Sequence, residues 1–261
     1  MTIGSESSDV RGGESGDNLP RFSVVIPAFN EESYLPRLLD TLEVARERYA
    51  GGPGDIEVIV ADNTSTDCTS EIASSRGCRV VRVEKRAIAA ARNGGARVAR
   101  GQVLAFVDAD TLVHPDTFNA IDQAMRSPKY VGGATGVQME RMSPGIAAAY
   151  VMLIPLVWLT GMDTGVVFCR REDFEAVGGY NESRLFAEDV EFLLGLRKLG
   201  RRRGQKLVRL KPVKAITSTR KFDKHGEWHY LRMVILGLFC ILFRPSAVER
   251  MARAYWYDEP R

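Results

Sequence analysis

Four short apolar runs set the plan of this chain: FSVVIPAF from Phe22, IEVIVA from Ile56, RVVRV from Arg79 and VLAFV from Val103. Each is followed by a segment of different periodicity. After Ser33, residues Leu35, Leu38, Leu39 and Leu42 recur at helical spacing, and Pro36 is tolerable because it falls in the first turn. Gly51-Gly52-Pro53-Gly54 closes that unit. A short helix is expected around Glu71 to Ser75, a small-residue helix in AIAAARNGGARVARG closed by Gly101, and another opening at His114-Pro115-Asp116. Strands alternating with helices at this spacing imply βαβ units, hence an α/β fold with a mostly parallel central sheet flanked by helices.

After Tyr130 the rhythm changes. YVGGATGVQ reads as a strand, GIAAAYVMLIPLVWLTG as a long apolar stretch broken by Pro155, and GVVFCRR as another strand. AEDVEFLLGLRKLG is an amphipathic helix ending at Gly200, LVRL and VKAIT are short strands, and YLRMVILGLFCILF lies in the tail. The expected organisation is a polar, Gly/Ser-rich disordered tail over 1–20, an α/β domain over 21–220, and a helical extension over 221–261. The tail lacks the continuous apolar stretch of a signal peptide. Neither apolar stretch reads as a bilayer crossing, which needs about 20 residues. They are core helices or interfacial ones, the latter flanked by Trp158, Trp228, Tyr230, Arg232 and Arg244 as belt residues.

The net charge of +3 argues for no nucleic-acid partner. The charge is uneven, however: KLGRRRGQK around Arg201 to Arg203 and TRKFDKH from Thr219 to His225 are either solvated loops or an anion- or membrane-facing patch. Cys68, Cys78, Cys169 and Cys240 are scattered without zinc or redox spacing, which fits a reducing, cytoplasmic compartment.

The chemistry concentrates at strand ends. Asp108-Ala109-Asp110 closes VLAFV, where open α/β sheets bind ligands, and two carboxylates one residue apart can reach a single divalent cation or its bound diphosphate. The first strand ends in Pro27-Ala28-Phe29-Asn30-Glu31 and the second in Asp62-Asn63-Thr64-Ser65-Thr66-Asp67. Such an edge suits a nucleotide: Phe29 offers a ring face, Asp62 accepts from a base N–H, and the aspartates hold metal and diphosphate. Neither GxGxxG nor GxxxxGK[ST] is present, so metal and side chains rather than a glycine cradle must neutralise the phosphates.

IPAFNEE, VADNTSTD, ARNGGA, FVDADT, GGYNE and AEDVEF stand in the order seen in the GT-A glycosyltransferases of the large family 2, over roughly 22–200. The chain resembles that family, which implies a GT-A, Rossmann-like fold with a donor half at about 21–127 and an acceptor half at about 128–220. The resemblance implies a metal-dependent inverting transfer from a nucleotide-diphospho-sugar, with a UDP-sugar favoured and a GDP-sugar as the alternative. Pro27, Phe29 and Glu31 match positions around base and ribose, and Asp62 matches the carboxylate that reads the base. Asn63 stands where many relatives have a second Asp. Arg86 and Arg92 match basic contacts near the diphosphate, Arg92 the stronger of the two. Asp108, Ala109 and Asp110 match the DXD segment that binds Mg²⁺ or Mn²⁺ and ribose, with Asp110 the firmest metal ligand and His225 a further candidate. Glu188 and Asp189 match the acidic pair opening the acceptor-side helix, Asp189 as general base. Gly179 and Tyr180 match the acceptor pocket. Trp158, Asp163 and Thr164 are candidates to face the acceptor, and Arg220 and Lys221 to come over the diphosphate as a lid. An acceptor glycan or lipid-linked acceptor, with peripheral contact at the inner face of the plasma membrane, is the expected setting.

Three rival readings remain. DADTL fits the opening of haloacid-dehalogenase-type phosphatases, but the second acidic pair then sits on a helix and the upstream motifs are unexplained. A nucleotidyltransferase shares such a sheet but needs a Gly-rich basic loop after the first strand, which is absent. A non-catalytic scaffold would not need the full set of carboxylates that this chain carries.

Overall fold

The computed structural model describes residues 19–145, 147–148, 151, 165–184 and 188–220. The tail over 1–18, most of the first apolar stretch with Trp158, Asp163 and Thr164, and the extension over 221–261 with Lys221 and His225 lie outside the described residues.

Strands β1 (Phe22–Ala28), β2 (Ile56–Asp62), β3 (Arg79–Arg82) and β4 (Val103–Phe106) pair in parallel in the order β3-β2-β1-β4. The eight-stranded sheet continues past β4 in the order β7-β6-β8-β5. Here β5 is Thr111–Leu112, β6 Tyr130–Met139, β7 Val167–Arg170 and β8 Lys206–Thr217. Pairing is antiparallel between β4 and β7, between β7 and β6 and between β5 and β8, and parallel between β6 and β8.

Helices cover both faces: α1 (Leu35–Glu47), α2 (Thr69–Ser75), α3 (Ile88–Val98), α4 (Thr117–Arg126), α5 (Arg171–Val177) and α6 (Glu188–Arg202). Strand alternation divides the core. Phe22, Val24 and Ile26 of β1 join Leu35, Leu38 and Leu42 of α1 and Phe118 and Ile121 of α4. Val25 on the opposite face joins Ala89 and Ala96 of α3 with Phe106, Phe192 and Leu196. Burial on both faces explains the continuous apolar reading of β1 and β4. The chain leaves β1 toward β2 and β3, then returns to lay β4 on the other side of β1. That reversal opens a crevice beyond the carboxyl ends of β1 and β4, the usual ligand position in such sheets.

Four local readings differ from the sequence expectation. LVRL and VKAIT are one strand, β8, whose interruption is a bulge: its register against β6 shifts between Thr135 and Gly136, skipping Lys211 to Val213. β5 has only two residues and so carries no pattern. α5 went unpredicted although its C-cap is visible as Gly178 and Gly179, both left-handed at φ 82° and 71°. α6 runs through Gly200 to Arg202, because that glycine is buried in contact with β6 rather than capping the helix.

Candidate functional site

The loops after β1 and β2 clasp each other at the crevice. The Asn30 N–H donates to Ser65 Oγ (3.1 Å), and Asn30 Oδ1 accepts from the Thr66 N–H (2.9 Å). The Glu31 N–H donates to Thr69 Oγ1 (2.8 Å), while the Glu32 N–H donates to Asp67 Oδ2 and the Cys68 N–H to Glu32 Oε2. Asn30 and Thr64 hold positive φ, 51° and 66°. For a β-branched threonine that is a costly backbone state, kept only where surrounding bonds dictate it.

Asp62 ends β2 almost fully buried, with Oδ1 accepting the Ser65 N–H at 3.0 Å. Asn63 does what an aspartate there could not: its Nδ2 donates to both Val83 O and Lys85 O at 2.8 Å, tying down the loop that carries Arg86. The Arg86 guanidinium lies 4.0 Å over the Phe29 ring, so one face of the ring is covered by a cation. Pro27 is a buried strand residue, and the Ala109 side chain points into the core, leaving its backbone for the crevice.

Arg92 is the centre of the second cluster. α3 lies close on the sheet because Gly95 faces Val25 and Ala61 and Gly94 faces Val83, where a Cβ would overlap the valines. Its Arg92 side chain is buried, with Nη2 donating to Asp108 Oδ1 (2.8 Å) and Nη1 to Glu188 Oε1 (2.9 Å). Nη1 also lies 2.7 Å from Asp189 Oδ1, in ion-pair contact without hydrogen-bond alignment. One guanidinium thus serves three carboxylates from two strand and helix ends. Burial opposes its charge, but Asp189, Asp108 and Glu188 outweigh that and hold it well above the usual arginine value. Burial pushes the Asp189 carboxyl up to about 7, with Glu188 and Asp108 adding to the rise and Arg92 opposing it. One Asp189 oxygen is fully buried, while the side chain as a whole keeps 18% exposure.

Beside Arg92, Asn93 clamps the expected acceptor segment: its Oδ1 accepts the Tyr180 N–H and its Nδ2 donates to Tyr180 O, both at 2.9 Å, and to Glu182 Oε1. Sequence reasoning missed Asn93 as a positioning residue, although ARNGGA contains it. The Tyr180 ring is buried, stacked on Phe192 at 4.4 Å and edge-on to Phe106, and Arg92 lies 5.1 Å over it. Burial and the neighbouring Asp189 raise its phenol well above the ordinary value. Gly179 packs so closely on Asn93 Oδ1 and Phe174 that a side chain there would collide.

The end of β8 completes the site. β5 follows Asp110 directly and pairs with Ile216 and Thr217, and the Ser218 N–H donates to Asp110 O at 3.3 Å. Arg220 is thereby laid across the crevice: Nη1 and Nη2 each donate to a Glu31 oxygen at 2.6 Å, Nε lies 3.1 Å from Asp110 Oδ2, and the guanidinium stacks 4.4 Å from the Tyr34 ring.

The predicted residues Glu31, Asp62, Arg92, Asp108, Asp110, Glu188 and Asp189 therefore gather at the carboxyl edge of one sheet. Among the described residues no group of three or more His, Cys, Asp or Glu side chains could by itself hold a metal ion. Asp108, with its side chain 46% exposed, and Asp110 offer two hard oxygen donors. That set fits Mg²⁺ or Mn²⁺ when ligand phosphates supply further oxygens.

Residues 23–146 match the family described as Glycosyl transferase family 2. The chain is 38% identical over 118 residues to validoxylamine A glucosyltransferase of Streptomyces hygroscopicus subsp. limoneus, a match covering 42% of this chain and 25% of that protein. The matched part therefore spans about a quarter of that curated relative. The fold is similar to mannosyltransferase PcManGT of Pyrobaculum calidifontis in complex with GDP-Man and Mn²⁺, with TM-score 0.61, 18% identity, and 92% and 74% of the two chains covered. It is also similar to glucosyl-3-phosphoglycerate synthase of Mycobacterium tuberculosis in complex with Mn²⁺, UDP and phosphoglyceric acid, with TM-score 0.56, 21% identity, and 85% and 78% covered.

Proposed function

The chain belongs, through residues 23–146, to glycosyltransferase family 2 and has a GT-A-type fold; from that premise we propose that it transfers a sugar from a nucleotide-diphospho-sugar to an acceptor hydroxyl or phosphate, with inversion. The observation that carries this reading is the meeting of Glu31, Asp62, Asp108, Asp110, Glu188 and Asp189 with Arg92 and Arg220 at one sheet edge. The donor half is 21–127 and the acceptor half 128–220.

Asp62 Oδ1 is held by the Ser65 N–H, so Oδ2 is the atom that meets a base N–H. Uridine and guanine each present such a donor; UDP is the favoured nucleotide on family grounds, and the two Mn²⁺-bound neighbours carry one GDP-sugar and one UDP. Asp108 and Asp110 would hold the divalent cation, which when bound neutralises charge growing on the departing diphosphate. Asp189 takes the proton of the attacking acceptor group, and a base that titrates near 7 suits that task at neutral pH. Arg92 orients Asp189 and Glu188 through its Nη atoms, which are engaged by carboxylates, and stands beside Asp108 near the diphosphate position. Attack by the acceptor itself, with no enzyme nucleophile, is a single displacement and so inverts.

The acceptor is a glycan or lipid-linked glycan, met at the inner face of a membrane. The support is electrostatic: Lys198, Arg201 and Arg202 on the outer face of α6, beside the half-exposed Leu194, continue into Lys206, Lys211 and Lys214 of β8. All six cations are exposed and form no ion pair among the described residues. Among those residues, too, no helix is long and apolar enough to cross a membrane. Cosedimentation with anionic phospholipid vesicles, abolished by high salt and by a Lys198→Glu, Arg201→Glu, Arg202→Glu variant, is the expected result; protein left wholly in the supernatant removes the membrane from the proposal.

The donor site is tested by calorimetric titration of UDP and GDP into the wild type and Asp110→Ala, with and without Mn²⁺. Binding of one nucleotide that requires both Mn²⁺ and Asp110 is expected. Absence of binding under every condition overturns the reading.

A further inference from the structure

Glu31, Asp108, Asp110, Glu188 and Asp189 crowd the crevice, and the guanidiniums paired with them are those of Arg92 and Arg220. Arg92 pairs with Asp108, Glu188 and Asp189, and Arg220 bridges Glu31 and Asp110. Its donors are divided unequally. Both Nη atoms form a fork with Glu31, the strong bidentate geometry of arginine and carboxylate, whereas a single Nε faces Asp110. Glu31 is nearly buried and the Tyr34 ring backs the guanidinium, so the fork is anchored while the contact with Asp110 is the weaker and more exposed side.

We infer that Arg220 is a resident counter-ion of Asp110: its Nε lies 3.1 Å from Asp110 Oδ2, and a divalent cation bound by Asp110 would draw that carboxylate away from Arg220 while the guanidinium stays forked on Glu31. This rests on the donor-site reading above and deepens it. Two consequences follow from the geometry. Free metal must compete with a positive charge already in place, so the empty site binds cations weakly. Once Asp110 turned to a cation, the Nε–H of Arg220 would be free to donate to an anionic ligand, with the guanidinium still held by Glu31. Arg220 is thus a positioning residue, held by Glu31, whose charge opposes cation binding at Asp110.

The test is Mn²⁺ binding to the full chain without nucleotide, read from the electron paramagnetic resonance signal of free Mn²⁺, for wild type, Arg220→Lys and Arg220→Gln. Removing a competing charge worth about 1.4 kcal/mol corresponds to about tenfold tighter Mn²⁺ binding in Arg220→Gln. Arg220→Lys, which keeps the charge without the bidentate fork on Glu31, falls between. Equal or weaker Mn²⁺ affinity in Arg220→Gln overturns the inference. A second measurement avoids mutation: in arginine-Nε-labelled wild type, the Arg220 Nε–H resonance moves during Mg²⁺ titration with the midpoint of Mg²⁺ binding. A resonance unchanged at saturating Mg²⁺ overturns it equally. If UDP and Mn²⁺ bind the wild type together but Arg220→Gln leaves metal affinity unaltered, only this inference falls. If neither protein binds Mn²⁺ with or without UDP, the donor-site reading falls with it.

Discussion

Arg92 and Asp189 approach to 2.7 Å at the centre of the crevice, one from the middle of α3 and the other from the first turn of α6. The contact joins α3 to α6 through a charge pair with little access to water. Such pairs are costly to break from one side, because the partner left behind keeps its charge in a poorly solvated place.

Replacing Arg92 by Met should therefore destabilise the fold by about 3 kcal/mol or more, since three carboxylates lose their shared cation. Arg92→Lys keeps the charge but cannot span Asp108 and Glu188 together, so it should fall between. Urea denaturation midpoints of the three proteins check this, and a Met variant as stable as wild type would contradict the hub described here.

Asp189 sets two opposite pH dependences. As the base it must be ionised, so kcat/KM for transfer should climb as pH rises through about 7 and level off above it. Its folded value lies above its unfolded one, so the fold favours the protonated form: the stabilising contribution is complete below about pH 4 and is lost as pH rises through about 7. Asp189→Asn should reduce turnover about 10²–10⁴-fold. Its melting temperature, measured against wild type, should gain progressively between pH 5 and pH 8.

Asn63→Asp tests whether this position needs donors. The substitution exchanges two N–H···O bonds, to Val83 O and Lys85 O, for a carboxylate facing two carbonyls in a buried place. A loss of about 2 kcal/mol or more is expected, measured by denaturation. Nucleotide affinity should weaken as the loop bearing Arg86 loosens.

Gly95→Ala should cost about 1–3 kcal/mol through overpacking, because its Cβ would overlap the Val25 side chain. Val25→Ala in the same chain removes the overlapping methyl groups. A double-mutant cycle should then show a favourable coupling between the two changes; additive losses would mean that α3 does not lie on β1 as closely as described.

The parallel half of the sheet was legible because β1 and β4 are buried on both faces and each helix follows at its own period, as in VVI against Leu35, Leu38 and Leu42. The strand-end carboxylates were legible for the same reason, since a strand end fixes where its next residue lies. What escaped was whatever depends on contacts distant in sequence. Nothing local marks Asn93 as the clamp on Tyr180, or Arg92 as the shared partner of Asp108, Glu188 and Asp189. β8 read as two strands because a bulge at Lys211 to Val213 breaks its alternation, and the β6 register that reunites it is a tertiary fact. Arg86 on Phe29 belongs to the same class: a ring reads as a free face until its neighbour across the fold is known.

The fork between Arg220 and Glu31 closes a loop of 189 residues. During synthesis the chain emerges from its amino end, so Glu31 and Asp110 are made long before the cation that bridges them, and β5 waits for β8 as its partner. Pairing over such separations also comes late in folding, after the local βαβ units have condensed. The crevice is therefore among the last parts of this domain to acquire its native charge balance, and a chain interrupted before residue 220 would lack the guanidinium that ties Glu31 to Asp110.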